Sequence, residues 1–191
     1  MNRLTRYLSR VGQQWRQRQL RHAFTRLGAG PGAATLRLSG RAPRLEITGT
    51  VELGEQISFR GLTRLTSISV EPGAVLKIGA YGYLNQGANL AVTRGLTLGP
   101  RCVVAEGVSF FDTNYHEVDE GAGVLTAPIV IGRNVWIGQG AIILPGTQVG
   151  DHSVIAAGAV VRGAFPARSL IAGVPARRVR DIRCHDNFFR R

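Results

Sequence analysis

Residues 131–161 read IGRNVWIGQGAIILPGTQVGDHSVIAAGAVV, and a β-branched aliphatic residue returns there at every sixth position: Ile131, Ile137, Ile143, Val149, Ile155, Val161. In a chain that is 44% apolar, six such hits in a row arise by chance with a probability of roughly 0.7%. The residue after each aliphatic is mostly small (Gly132, Gly138, Gly150, Ala156), and four positions after it stands another modest side chain (Val135, Ala141, Thr147, Ser153, Ala159). Turn formers such as Asn134, Gly140, Gly146 and Gly158 lie between. A period of six fits neither one face of a helix nor the alternation of an ordinary strand. A short strand and a turn, repeated, make instead one flat side of a coiled solenoid. The aliphatic residue points inward, the small one fills the interior near the corner, and Gly or Asn takes the corner dihedrals.

Upstream the same rhythm is weaker and slips in phase: Ile47, Leu53, Phe59, Leu65; then Ile78, Leu84, Leu90, Leu96; then Leu98, Val104, Phe110. Between Phe110 and Ile131 there is room for an extra loop, near residues 112–128. It holds Asp112, His116, Glu117, Asp119 and Glu120, the densest polar cluster of the body. The sequence thus divides into a helical arm (1–30), a solenoid (31–176) and a short terminal segment (177–191). At 191 residues this amounts to one domain with appendages. The aliphatic content argues against disorder. No run approaches the ~18 apolar residues of a membrane span.

Net charge is +12 and sits at the ends. Residues 1–26 hold seven arginines and no acid, and residues 162–191 hold eight arginines against Asp181 and Asp186, so the body between is near neutral. Such ends suit phosphates, anionic lipid or nucleic acid, and charge alone does not choose. Leu4, Leu8, Val11 and Trp15, continued by Leu20, Phe24 and Leu27, make residues 2–27 a basic amphipathic helix. It either lies on an anionic membrane face or covers the first coil or a neighbouring subunit. The segment 177–191 is predicted to be a short basic helix capping the last coil, since an open solenoid edge invites aggregation.

The repeats, with AGVPARRVR at 172–180, resemble the hexapeptide-repeat acyltransferases, in the branch of the maltose, galactoside and surface-polysaccharide O-acetyltransferases. The resemblance covers roughly residues 45–183 and is most specific over 131–180. It implies an all-β left-handed parallel β-helix, a homotrimer with active sites between subunits, acetyl-CoA as acyl donor and a saccharide hydroxyl as acceptor. It also implies that His116, in FFDTNYHEVDE, is the general base. An imidazole suits that role because it titrates near neutrality. The backbone N–H of Gln139 then matches the oxyanion donor. The coenzyme is placed beside Trp136, Gly138, Gln139, Ala157 and Ala159, on to Arg162, with Arg180 near the nucleotide phosphates and Arg177 and Arg178 adding charge there. Where many relatives carry Thr-Lys, this chain has Arg162-Gly163, and Arg162 is the candidate replacement for the lysine.

Other residues keep two readings. Asp112 and Glu117 either orient the imidazole or bind an acceptor hydroxyl, or else they solvate the loop. Asn85, which matches an acceptor-site asparagine of galactoside-type relatives, is equally at home as a corner residue. Tyr81, Tyr83 and Tyr115 are available to stack on a sugar, and Trp136 is either a ligand contact or a corner plug. His152, His22 and His185 read as structural or solvated, and Cys102 as core. The histidines lack the spacing of the zinc site of γ-class carbonic anhydrases, so no metal is expected. AGVPARRVR favours CoA over an acyl-carrier protein. Without an aromatic platform or reading helix, nucleic acid is not an expected partner. N-acetylation of an amino sugar and a non-catalytic scaffold are the alternatives. With no export signal in the leader and two well-separated cysteines, the expected location is the cytoplasm, with the N-terminal helix at the inner membrane face if it binds lipid.

Overall fold

The computed structural model describes residues 3–190, with side chains from Arg10 onward. Helix Arg3–Arg26 leads through a 3-10 turn, Pro31–Thr35, into a parallel β-solenoid. Leu4 and Leu8 of the apolar stripe lie outside the described side chains, and Asn2 and Arg191 outside the described residues.

Three parallel sheets form the sides of a prism. One runs through Ser58–Gly61, Tyr83–Leu84, Val103–Val104, Trp136–Ile137 and Val154–Ile155. The second runs through Ser67–Val70, Asn89–Val92, Ser109–Phe111, Ile142–Ile143 and Val160–Val161, and the third through Val75–Ile78, Gly95–Leu98, Ile129–Ile131, Gln148–Val149 and Ala164–Phe165. Each turn of the chain adds one strand to each side, so equivalent residues stack. Phe59, Leu84, Val104, Ile137, Ile155 and Ile171 form one inward column. Leu53, Ile78, Leu98 and Ile131 stand in another column, with Val149 and Phe165 above them.

The six-residue pattern is obeyed from Ile131 to Val161, where all six aliphatics are buried. Upstream the sides are longer, with four-residue strands that turn two side chains inward, as in Ser67–Val70. There Leu65 is 50% exposed and the buried residues are Ile68 and Val70, which corrects the upstream register. The small residues also work differently from the expectation. The interior is filled by the residue four positions on: Val135, Ala141, Thr147, Ser153 and Ala159 are all buried. The glycine after the aliphatic is small because the next coil's backbone lies where a side chain would be. A Cβ on Gly138 would stand 2.5 Å from the Ala157 nitrogen, and one on Gly132 would stand 2.8 Å from that of Asp151.

At one edge of the prism the corner residue is left-handed without being glycine: Gln56, Tyr81, Arg101, Asn134, His152 and Arg168 have φ between 55° and 61°. The other corners use glycines such as Gly140 and Gly158.

The N-terminal helix covers the first coil. Leu20 and Phe24 are buried, and Phe24 stacks on Phe59 with ring centroids 6.3 Å apart. The exposed edge of Arg37–Gly40 is met by side chains: Gln13 bonds Leu38 O and Gly40 N, Gln17 bonds Leu38 N, Arg16 bonds Gly40 O and Arg21 bonds Leu36 O. At the other end the predicted cap helix is replaced by a strand. Ala176–Asp181 folds back antiparallel on Ser169–Gly173, and buried Ala176 helps close the core. This segment alternates poorly, with only Ala176 turned inward. Pairing with the preceding strand satisfies its backbone without an amphipathic face.

Candidate functional site

The polar insertion springs from the edge between the second and third sheets. Its neck is pinned by a bridge between Thr113 and Thr126, whose hydroxyls are 2.8 Å apart, and by Asn114 N to Leu125 O at 2.9 Å. His116 stands exposed just beyond this neck, next to Tyr115, whose φ of 62° bends the chain outward. Beneath it a cavity of about 460 Å³ is lined by Asn114, Val118, Asp119, the 122–126 limb and Arg162. Arg162 therefore faces the insertion.

Asp112 does not orient the imidazole. It is fully buried, and its two oxygens accept the N–H groups of Thr93 (2.8 Å), Arg94 (2.8 Å) and Gly95 (2.7 Å) from the coil below. Three amide donors occupy the carboxylate, so its work is to fix where the insertion leaves the coil. Glu117 accepts from Gly123 N at 2.8 Å and Gly121 N at 3.3 Å and so shapes the insertion.

Gln139, Ala157 and Asn85 lie on a different edge, between the first and second sheets. Gly158 N bonds Gln139 O and Gly140 N bonds Glu106 O, which ties successive corners together. Among the described residues the N–H of Gln139 has no acceptor, and Glu106 and Ala157, its equivalents one coil below and above, share that property. The side-chain oxygen of Asn85 takes Gln86 N at 2.9 Å, a corner role, and among the described residues its amide NH₂ has no partner. Trp136 is on the outer face of the first sheet, 45% exposed, between Val103 and Val154 in the ladder. Gly138 and Ala159 are backbone-packing and core positions.

Arg177, Arg178 and Arg180 lie on the terminal strand. Arg178 is paired with Asp181 and Ser169, whereas among the described residues Arg177 and Arg180 reach only backbone carbonyls and keep most of their donors free. In one chain, then, the structure does not bring His116 and Gln139 together: the first belongs to the insertion edge and the second to the edge of plain corners.

Two further titratable groups, Cys102 and His152, are structural. Cys102 is buried and donates to Gly132 O, and burial pushes its thiol up to about 12. His152 is 2% exposed, with Arg133 Nη2 3.0 Å from Nε2 and Asn134 Nδ2 2.9 Å from Nδ1. Burial first, then the Arg133 charge, holds it below the usual imidazole range, and donors facing both ring nitrogens oppose a second proton. Sequence reasoning missed Phe188 and Arg190, which stand beside Trp136 and Val103 around a further cavity. Their only signal is the aromatic pair and arginines that end the chain, FFRR.

These features define a left-handed parallel β-helix built of hexapeptide repeats. Residues 128–163 match the family described as bacterial transferase hexapeptide (six repeats). Among individual proteins, the chain is 34% identical over 120 residues to the galactoside O-acetyltransferase of Escherichia coli K12, a stretch that is 61% of this chain and 59% of that one. It is 32% identical over 107 residues to a putative lipopolysaccharide biosynthesis O-acetyl transferase, WbbJ, of the same organism, covering 49% of this chain and 54% of that one. The chain thus spans a little over half the length of these relatives. A galactoside acetyltransferase solved in complex with coenzyme A superposes with a TM-score of 0.54 at 25% identity, over 90% of this chain and 82% of its own.

Proposed function

We propose that the protein is an acetyl-CoA-dependent O-acetyltransferase acting on a saccharide hydroxyl, with His116 as the general base. The observation that carries this is an exposed histidine on an insertion fixed to the coil by three backbone N–H hydrogen bonds to the Asp112 carboxylate and by the Thr113–Thr126 neck. Nothing in stacking the solenoid requires this insertion. The donor fits what the chain offers: an exposed Trp136 beside an apolar cavity and, on the terminal strand, Arg177 and Arg180 with donors to spare for phosphate.

His116 accepts the proton of the acceptor hydroxyl as that oxygen attacks the thioester carbonyl. It returns the proton to the sulfur as the carbon–sulfur bond breaks. The Gln139 N–H donates to the carbonyl oxygen as negative charge develops there. Tyr115, beside His116 and half-exposed, supplies a ring face for the sugar, and Glu117 holds the insertion in shape beneath it. Because His116 and Gln139 stand on different edges of one chain, a complete centre pairs the insertion edge of one copy with the plain edge of another. A closed ring of three copies does this with each insertion edge and each plain edge used once.

The docked N-terminal helix leaves Val11 (45%) and Trp15 (62%) exposed on a segment rich in arginine and free of acids. That face fits an anionic lipid surface. Trp15→Glu should abolish cosedimentation with anionic vesicles and leave melting unchanged; equal sedimentation of both proteins would rule out this face as a lipid contact.

The test of the central reading is acetyl-CoA turnover with a saccharide acceptor, together with calorimetric CoA binding. His116→Ala should lose turnover by about 10²–10⁴-fold while binding CoA as wild type does. Full turnover in that variant would remove His116 from the chemistry, and absence of CoA binding in wild type would overturn the whole reading.

A further inference from the structure

After the terminal strand the chain does not leave the molecule. Ile182 N bonds Arg168 O at 2.6 Å, and Asp186 pairs with Arg168. Asn134 Nδ2 then donates to Phe188 O (2.8 Å), and Arg190 N donates to Asn134 Oδ1 (3.1 Å). The Arg190 guanidinium bonds the carbonyls of Asn134 (2.6 Å) and His152 (2.9 Å). Phe189 lies under the Arg101 guanidinium at 4.1 Å, and Arg101 also covers Tyr81 at 4.6 Å. The tail is therefore strapped down the edge formed by the left-handed column of Tyr81, Arg101, Asn134, His152 and Arg168.

The strap leaves one aromatic ring largely open: the Arg190 guanidinium lies 5.6 Å from the centre of the Phe188 ring, and the rest of that ring faces outward. Phe189 is clamped, but Phe188, whose backbone is held just as firmly, keeps its ring 45% exposed. That ring, Val103, Trp136 and Arg190 enclose a cavity of about 330 Å³. Three of its walls are apolar, two of them aromatic, and none of the four lining residues is acidic. Arg190 has five N–H donors, of which two are spent on backbone carbonyls. It is thus held rigid with three donors left for an anion. An apolar arm or flat ring joined to a phosphate satisfies every wall at once.

We propose that the tail is part of the donor site: Phe188 and Arg190 close a subsite with Trp136 and Val103 that takes the arm of the acyl-CoA next to its phosphates. This rests on the acyl-CoA reading above and adds to it a wall from a segment outside the hexapeptide repeats. Phe188 supplies a face for the arm, and Arg190, fixed by Asn134 and His152, supplies the cation.

The chain has two tryptophans, Trp15 and Trp136, so in a Trp15→Phe background the emission reports on the cavity alone. Titration of CoA into this full-length protein should change Trp136 emission and shield it from acrylamide. In the same background Phe188→Ala should raise the Kd for CoA about tenfold, the loss of one aromatic contact. Phe188→Tyr should stay within about twofold of the parent. Circular dichroism and melting should be the same for all three. Calorimetry separates the failures. If CoA binds with Trp136 silent and Phe188→Ala binds as tightly as its parent, the donor lies elsewhere and only this proposal falls. If Phe188→Ala binds more tightly, the tail is a plug and not a wall, and the proposal falls again. If CoA binds no variant, the acyl-CoA reading itself fails and takes the subsite with it.

Discussion

The two ends of the solenoid expose the same thing, a strand edge with unpaired backbone groups, and close it by opposite means. At the first coil the partner is a helix that imitates a strand with side chains, the amides of Gln13 and Gln17 and the guanidinia of Arg16 and Arg21. At the last coil the partner is backbone, as Ala176–Asp181 pairs along Ser169–Gly173 and the tail continues down one edge. A cap made of side chains depends on which residues make it. A cap made of backbone leaves its side chains free, and here the freed ones are Arg177 and Arg180. The end that closes by backbone thus keeps its arginines free of the cap, whereas Arg16 and Arg21 at the first coil are spent on it.

The largest test of this contrast is Phe24→Ala. Phe24 is fully buried and anchors the helix on Phe59, so its truncation should cost about 3–5 kcal/mol. Urea unfolding should show that loss, and fast amide exchange in Arg37–Gly40 should mark the opened edge. If exchange there stays slow, the helix is not what protects it. Next in size, Gln13→Ala with Gln17→Ala removes the imitation strand and leaves its partners in part to water, about 1–3 kcal/mol for each buried group stranded. The exchange of Leu38 and Gly40 amides should rise, and the protein should aggregate more readily as the edge is bared. At the other end Asn134→Gly keeps the left-handed corner but drops the bonds to Phe188 and Arg190. It should cost about 1 kcal/mol and release the Arg190 amide to exchange without touching Leu38.

The smallest expected effect is a pH drift at the same corner. The folded protein holds the His152 pKa below its unfolded value through burial and the charges of Arg133 and Arg168, against the weaker pull of Asp151 and Asp186. The unfolded chain therefore binds the proton first. Stability is complete above about 6.5 and falls as pH drops from there towards the folded pKa. In melting curves at pH 7.5 and 5.5, His152→Gln should flatten this part of the acid loss. An unchanged slope would assign the drift to other groups.

The rhythm from Ile131 to Val161 was legible because each coil there repeats after 18 residues, as between Ile137 and Ile155, with one inward aliphatic per side. Towards the N-terminus four-residue strands that turn two residues inward mix with two-residue strands that turn one, so no single period exists, and Leu65 falls in step by coincidence of spacing while Ile68 does the packing. The sequence predicts a helix where the terminal strand stands because a β-hairpin with one buried residue leaves no alternation to see. In the site, the insertion and its histidine were visible as polar residues breaking an apolar repeat. The occupation of Asp112 by amides of the coil below was not, because those donors are backbone groups 17 to 19 residues away and carry no sequence signature. The docking of the tail was hidden for the same reason: it rests chiefly on carbonyls and on a left-handed corner.

The insertion interrupts the chain without interrupting the stack. Phe110 pairs with Leu90 before it, and Ile131 pairs with Leu98 after it, in the same register as their neighbours. Its two ends are tied by Asp112 and the Thr113–Thr126 neck, so whatever lies between them is not felt by the core. Doubling the length of such a closed loop costs only about 0.6 kcal/mol. Residues 114–125 therefore behave as an exchangeable cartridge. The insertion can be rewritten there, by evolution or by grafting, while the coils beneath it are left as they are.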